Sequence, residues 1–202
     1  MLASPLPLSL FGVGDAAVTA VPRFRRYDLD PCCWVDFVTG YIQGANSLFA
    51  EVEENFNWVR GRRLMYGTWH DEPRLTAKMK LTDVDVPAVV PRAVEELGRH
   101  YRRNFSGLFC NYYQTGSDSV AWHADQIGRT SVDPLVAIIS LGGPRTFAMR
   151  DQAGKSRTAR FVMHSGDLLV MGGATQHHWE HGIAKVADAP PRVSLTTRAG
   201  FS

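Results

Sequence analysis

Residues 135–150 read LVAIISLGGPRTFAMR, and this stretch decides the kind of fold the chain can adopt. An apolar run with a single serine ends at Gly142, Gly143 and Pro144, and a second short run follows at 146–150. Runs of this length, bounded by Gly and Pro, are typical of β-strands in a core rather than of long helices.

Similar short runs recur through the second half of the chain, separated by Gly, Pro and Asp. We expect strands at 108–114, 120–123, 135–141, 146–150, 159–164, 168–171 and 192–198. Many short strands at this spacing indicate a sandwich or barrel.

The first half of the chain favours helices. Asp30 and Pro31 resemble a helix N-cap followed by proline, which predicts a helix over 30–41. A second helix is expected over 46–55, and a third from Pro91, where Val94, Leu97 and Tyr101 share one face. The predicted class is therefore α+β, one domain of residues 1–202 in which N-terminal helices buttress a C-terminal β core.

Composition excludes several classes of protein. The 202 residues are 45% hydrophobic and 21% charged, as in a globular domain, and no run of 18 apolar residues exists, so no membrane span is expected. The apolar opening has no basic start and is interpreted as an N-terminal arm. Three cysteines, two of them adjacent (Cys32 and Cys33), favour reduced thiols and a cytoplasmic location over a disulfide framework.

The net charge of +2 is unevenly distributed. Residues 1–57 carry three Arg against seven acidic residues, whereas residues 58–104 carry ten Arg or Lys against six. A basic middle segment could face a polyanion, although a solvated surface of mixed charge is an equally simple interpretation.

A candidate metal site begins with Trp122-His123-Ala124-Asp125. In an extended chain His123 and Asp125 point to the same face, so both could reach one ion. A third ligand could come from residues 176–181, QHHWEH, which offer three histidines. Two imidazoles and one carboxylate suit non-haem iron with open coordination positions, while zinc or a surface His–Asp pair are the alternatives.

A candidate anion site lies near the C-terminus. Arg192 and Arg198 are six residues apart, so on a strand they share a face and could bind a small dicarboxylate through bidentate bonds. Asn111 and Tyr113 could add hydrogen bonds from a neighbouring strand. The alternative is an edge strand with two solvated arginines.

The order of these motifs is more specific than any one of them. Asn-x-Tyr is followed by His-x-Asp, by Gly142-x-x-Arg145-x-Phe147-x-x-Arg150, by SGDLLVM at 165–171, by Trp179-x-His181 and by Arg192-x5-Arg198. Over about two-thirds of the chain this series resembles the AlkB family of Fe(II)- and 2-oxoglutarate-dependent dioxygenases, nearest to the type that repairs duplex DNA.

The resemblance implies a double-stranded β-helix, or jelly-roll, in residues 105–202, with iron held by His123, Asp125 and His181. It implies that Arg192, Asn111 and Tyr113 bind the distal carboxylate of 2-oxoglutarate. Arg198 would lie at the metal-side carboxylate and steady Asp125, and His177 and His178 would have no ligand role. The family pattern has Asn and Phe where this chain has Ser194 and Thr197, so the shorter side chain of Ser194, also at the 2-oxoglutarate site, is expected to lose one contact and to affect affinity more than mechanism.

The stretch 65–74, MYGTWHDEPR, resembles the family's nucleotide-recognition lid, which implies a lid and supporting helix in residues 58–104. Tyr66 would be a wedge that fills the gap left by a flipped base, and Trp69, Arg74 and Trp122 would contact substrate. Ordinary core packing is the alternative for Tyr66 and Trp69. An acidic pocket for a cationic lesion could involve Asp118 or Asp133.

The implied activity is oxidative demethylation of bases such as 1-methyladenine or 3-methylcytosine in DNA. Fe(II) would be bound, 2-oxoglutarate and O2 would be consumed, and succinate, CO2 and formaldehyde would be released. The alternatives are the same chemistry on RNA, tRNA or a protein side chain, and a jelly-roll binding protein without turnover. A monomer that binds nucleic acid and no membrane is expected.

Overall fold

The computed structural model describes residues 14–65, 67–125, 133–154 and 156–200. In chain order its elements are β1 (Ala17–Val18), β2 (Arg25–Asp30), β3 (Cys33–Val38), β4 (Ile42–Gln43), α1 (Ala45–Asn55), β5 (Val59–Met65), β6 (Thr68–Met79), α2 (Val89–Tyr101), β7 (Phe105–Tyr113), β8 (Val120–His123), β9 (Leu135–Gly142), β10 (Arg145–Asp151), β11 (Thr158–Met163), β12 (Leu168–Gly173), α3 (Thr175–His178), β13 (Trp179–Ile183) and β14 (Arg192–Ala199).

Two antiparallel sheets make up most of the fold. The larger has eight strands in the order β2-β3-β12-β9-β14-β7-β6-β5, and the smaller has four in the order β11-β10-β13-β8. Strands β1 and β4 form a separate pair. The expected double-stranded β-helix is therefore confirmed, and each strand predicted in residues 105–202 is present within three residues at either end.

The central strands β12, β9 and β14 of the larger sheet are buried on both faces, which explains why β9 is an almost continuous apolar run. Because side chains alternate along a strand, Leu135, Ala137, Ile139 and Leu141 pack on one side. Residues 136 and 138 point to the other side, into a second cluster shared with the smaller sheet. The functional cavity lies on this second side, between the sheets.

Helices α1 and α2 cover the first side of the larger sheet. Helix α1 buries Leu48, Phe49 and Val52 there, and α2 contributes a buried stripe that includes Val94 and Leu97. The helices predicted over 46–55 and from Pro91 are thus confirmed. They support the sheet from the side away from the site.

The helix predicted over 30–41 is wrong, because these residues form the turn after β2 and strand β3. Strand β3 buries Val35 on one face and Val38 on the other, so both of its faces are covered. β-Branched and aromatic residues suit a strand in that position, and this two-sided burial outweighs the local helix-start signal at Asp30 and Pro31.

The basic middle segment contributes a hairpin to the edge of the larger sheet. Strand β6 pairs with β7, and β5 pairs with β6 up to Met65 and Thr68, where the chain turns at Gly67 with φ of 80°. A positive φ is readily adopted by glycine, so Gly67 suits this turn. Within the described ranges, no helix is long and apolar enough to cross a membrane.

Candidate metal and co-substrate site

The pairing of β8 with β13 brings two of the predicted ligands together. His123 on β8 lies directly opposite His181 on β13, and their ring centroids are 4.3 Å apart. Residues 58 positions apart in sequence thus become cross-strand neighbours, which no local pattern could specify.

Asp125 completes the group just after β8 ends. Its Oδ1 is 3.9 Å from His123 Nε2, and one ligand atom from each of His123, Asp125 and His181 lies within 4.8 Å of the other two. Two imidazoles and a carboxylate are the facial donor set of non-haem iron, although zinc accepts the same donors.

The conformation of Asp125 is held at two points. Its Oδ2 accepts a hydrogen bond from Arg198 Nε at 3.0 Å, and its backbone N–H donates to Gln176 Oε1 at 2.9 Å. Gln176 is buried, and no sequence motif predicted its contact with Asp125. Such supporting contacts orient ligands before a metal arrives.

His181 is suited to act as a neutral ligand. It is 6% exposed, its ring stacks on Phe147 with centroids 5.2 Å apart, and its Nδ1 is buried without a hydrogen-bond partner among the described residues. Burial, with a smaller contribution from His123, lowers the pKa of His181 to about 3. At neutral pH the imidazole is therefore uncharged and can offer a lone pair to a cation.

His123 is oriented by its own strand. Its Nδ1 lies 2.9 Å from the carbonyl oxygen of Ala121. Since a carbonyl can only accept, Nδ1 carries the proton and Nε2 presents its lone pair toward Asp125.

Arg192 lies at the other end of the same cavity. It is 1% exposed, its Nε donates to Ser140 Oγ at 2.9 Å, and its Nη1 is buried with no partner in the part of the chain that the structure describes. A buried guanidinium nitrogen without an acceptor is costly, and a carboxylate would satisfy it. This arrangement fits the distal carboxylate of 2-oxoglutarate.

The predicted neutral contacts surround Arg192. Tyr113 on β7 is opposite Arg192, with the guanidinium 5.2 Å from the ring centroid, and Asn111 is opposite Ser194. Asn111 Nδ2 donates to Ser194 Oγ at 3.4 Å. Ser194 therefore contacts Asn111, where the family pattern would have a longer amide side chain.

Arg74, which was predicted to contact substrate, lies in the wall of the same cavity. Its Nε donates to Asn111 Oδ1 at 2.7 Å, it pairs with Glu72, and its side chain is 15% exposed. The hairpin β5–β6 is thereby linked to the anion end of the site.

All eight residues predicted for metal and co-substrate line one cavity. A wider groove opens over the same His123 and Asp125 and is bordered by Trp122 and His70, with exposed Lys78 and Lys185 at its edge. The structure thus places a donor set and an anion site in one chamber with an open groove above the donors.

The residues predicted to contact substrate lie in different parts of the structure. Trp122 borders the groove, is 41% exposed and lies under Arg150, whose guanidinium carbon is 4.4 Å from the ring centroid. Trp69 is 57% exposed on the hairpin, so core packing does not account for it. Tyr66 lies outside the described residues.

Neither Asp118 nor Asp133 supplies an acidic wall to the cavity. Asp118 Oδ2 accepts from the backbone N–H groups of Gln114 and Thr115, which makes it a turn residue. Asp133 accepts from the backbone of Gly173 and from Arg103.

The sequence of this chain is similar to those of known proteins. Residues 43–198 match the 2OG-Fe(II) oxygenase superfamily. The alpha-ketoglutarate-dependent dioxygenase alkB homolog 3 of Homo sapiens is 27% identical over 194 residues, which cover 84% of this chain and 66% of that protein. The DNA oxidative demethylase ALKBH2 of Homo sapiens is 27% identical over 209 residues, covering 92% and 80%. The chain therefore spans slightly less than two thirds of the alkB homolog 3 relative.

Two solved structures share the fold. OsALKBH1 superposes with a TM-score of 0.57 at 14% identity, covering 86% of this chain and 99% of that one. A Pseudomonas putida prolyl-4-hydroxylase superposes with a TM-score of 0.55, also at 14% identity, covering 78% and 86%. At this identity the likeness concerns the fold alone.

Proposed function

Since the chain belongs to the 2OG-Fe(II) oxygenase superfamily, we propose that it is an Fe(II)- and 2-oxoglutarate-dependent dioxygenase that oxidatively demethylates N-alkylated bases in DNA. The substrate part of this proposal is supported by relatives named as an alkB homolog dioxygenase and a DNA oxidative demethylase.

One observation carries the proposal. The donors His123, Asp125 and His181 and the partly unpartnered guanidinium of Arg192 share a single cavity. The donors alone are equally compatible with zinc, so the buried guanidinium is the feature that favours a carboxylate co-substrate. A co-substrate with one carboxylate at the metal and another at Arg192 requires both.

Some of these residues would bind the metal and the co-substrate, and Arg198 orients a metal ligand. His123, Asp125 and His181 would hold the metal, and Arg192 would bind the distal carboxylate with help from Tyr113 and Asn111. Arg198 keeps Asp125 in place through the hydrogen bond to Oδ2. Phe147 and Ile138, both buried, contribute an apolar part of the cavity wall.

When bound, Fe(II) would supply the redox chemistry that couples decarboxylation of 2-oxoglutarate by O2 to hydroxylation of an N-methyl group. The products are succinate, CO2 and a hydroxymethyl adduct, which leaves as formaldehyde and restores the base.

The groove above the donors suits a nucleic acid. Trp122 borders the groove with an exposed aromatic ring, and Lys78 and Lys185 offer exposed cations at its edge. Aromatic stacking and salt-sensitive phosphate contacts are the usual means of holding an extruded base and its strand. We assign the wedge to Tyr66 because residues 65–74 resemble the nucleotide-recognition lid, in which Trp69 is exposed.

The test is a turnover assay with matched oligonucleotides. Formaldehyde and succinate should appear only with Fe(II) and 2-oxoglutarate, on single-stranded or duplex DNA carrying 1-methyladenine or 3-methylcytosine. Tyr66→Ala should reduce turnover on duplex DNA while activity on single strands persists.

Three results would count against parts of the proposal. Turnover on methylated RNA but on neither DNA form would reassign the substrate. Unchanged duplex activity in Tyr66→Ala would remove the wedge, and full turnover in His181→Ala would remove the assigned donor set.

A further inference from the structure

A second cluster of metal-binding side chains lies outside the cavity. Asp30, Cys32, Cys33 and His178 each offer one ligand atom, and these four atoms all lie within 4.8 Å of one another. The adjacent cysteines come from the start of β3 and the preceding turn, and His178 ends α3. The sequence alone predicted only reduced thiols here and no ligand role for His178.

The distances within this cluster match those of a tetrahedral zinc site. Zn–S bonds of about 2.3 Å and Zn–N bonds of about 2.0 Å place two sulfurs about 3.8 Å apart, and a sulfur and a nitrogen about 3.6 Å apart. The measured Cys32–Cys33 distance between Sγ atoms is 3.9 Å, and His178 Nδ1 lies 3.5 and 3.8 Å from the two sulfurs. Cys32 Sγ lies 3.3 Å from Asp30 Oδ1.

The backbone brings these residues together at a close approach. Ala174 N–H donates to the Cys32 carbonyl at 2.8 Å, and a Cβ on Gly173 would come within 2.1 Å of that carbonyl oxygen. Gly173 also has φ of 64°. Glycine at this position thus lets α3 begin immediately beside the two cysteines.

The Asp30 carboxylate is oriented by a hydrogen bond to the oxygen that faces away from the thiols, as metal-binding carboxylates commonly are. Trp179 Nε1 donates to Asp30 Oδ2 at 2.8 Å, which leaves Oδ1 facing the thiols. Although burial opposes ionisation, the hydrogen bonds from Trp179 and the Cys32 backbone lower the pKa of Asp30. Arg157 Nη1, 3.7 Å from Oδ2, would balance the negative charge of two thiolates and a carboxylate around a dication.

We propose that Asp30, Cys32, Cys33 and His178 form a structural Zn²⁺ site, separate from the dioxygenase centre. Two thiolates, an imidazole and a carboxylate make a closed tetrahedral set of the kind that favours zinc over harder cations. The ion would tie the start of β3 to the end of α3, directly before the strand that carries His181. The site does not depend on the chemistry proposed for the cavity.

Cobalt(II) substitution tests the site specifically, because none of the three donors in the cavity contains sulfur. The full chain titrated with Co²⁺ should develop a sulfur-to-cobalt charge-transfer absorption that saturates within two equivalents, since the cavity donors can also bind Co²⁺, and that disappears when Zn²⁺ is added. The band should persist in His181→Ala and in the control Cys110→Ala, whose thiol is buried in the core away from the cluster.

Replacing the proposed ligands should weaken metal binding, whereas replacing a neighbouring residue that is not a ligand should not. The double variant Cys32→Ser with Cys33→Ser should lose the band. His178→Ala, an exposed change that should not affect folding, should weaken Zn²⁺ competition at least tenfold, whereas His177→Ala, its exposed neighbour, should match the wild type.

Two outcomes would overturn the assignment. One is the absence of a sulfur-to-cobalt band at two equivalents of Co²⁺ in the folded wild-type chain. The other is a band that His178→Ala and His177→Ala leave equally strong, since His178 would then not be a ligand.

Discussion

Arg198 Nε donates a 3.0 Å hydrogen bond to Asp125 Oδ2, so two residues 73 positions apart in sequence hold one carboxylate in place. Arg198 comes from β14 in the larger sheet, whereas Asp125 follows β8 of the smaller one. The contact therefore bridges the two sheets at the donor end of the cavity. It makes the orientation of a proposed metal ligand dependent on a residue that need not touch the metal.

Arg198→Ala should weaken metal binding at the cavity by about tenfold to a hundredfold, because partners that orient a ligand contribute on this scale. Titration with Mn²⁺ is the suitable measurement, since this hard ion prefers carboxylate and imidazole over the thiols of the zinc cluster. The exposed Arg99→Ala on α2 is the matched control. Equal Mn²⁺ affinity in the two variants would show that Arg198 does not position Asp125.

Arg192→Met should remove the response to 2-oxoglutarate without lowering the stability of the ligand-free protein. Burial lowers the pKa of Arg192, and its Nη1 has no partner among the described residues, so an apolar side chain of similar length avoids a desolvation cost. In thermal unfolding, 2-oxoglutarate should raise the Tm of the wild type and of exposed Arg160→Ala, but not that of Arg192→Met. A preserved rise in Arg192→Met would place the carboxylate elsewhere.

Trp122→Ala should raise KM for a methylated oligonucleotide more than it lowers kcat. A base stacked on an aromatic face gains about 1–3 kcal/mol, which corresponds to a KM change of about fivefold to more than a hundredfold. Trp122→Phe keeps an aromatic ring at the border of the groove and should recover most of the affinity. If KM is the same in Trp122→Ala as in the wild type, the exposed indole does not contact substrate.

Arg26→Ala should destabilise the fold by about 2 kcal/mol, because hydrogen bonds to a buried charged group are worth about 1.5–3 kcal/mol. Arg26 donates to both oxygens of Asp36 at 2.8 Å, and the Asp36 side chain is 3% exposed. After the change, the Tyr101 hydroxyl still donates to this buried carboxylate, at 2.8 Å.

The neighbouring Arg25→Ala is the control for that measurement, since Arg25 is exposed and its guanidinium carbon lies 4.9 Å from the centroid of the Tyr27 ring. Urea unfolding should give a change of less than about 0.5 kcal/mol for Arg25→Ala. A similarly small change for Arg26→Ala would mean that Asp36 is satisfied without its arginine.

Most of the β core could be predicted because its information is local. Residues 135–141 and 192–198 carry the length, the alternation and the flanking turn residues of strands, and the shared face of Arg192 and Arg198 follows from a period of two. The helix predicted over 30–41 is wrong because burial in the packed sheet outweighs the local helix-start signal at Asp30 and Pro31. Only the packed sheet shows that Val35 and Val38 are covered on opposite faces.

The sequence by itself determined the strands, the two helices that cover the sheet and the order of the chemical motifs, because these depend on neighbours within a few residues. The tertiary structure decided which distant side chains meet. It brought Gln176 to the backbone of Asp125 and linked Arg74 to Asn111. It also carried His178 to cysteines 145 and 146 residues away. Such meetings depend on strand register and sheet packing, which no stretch of the chain encodes alone.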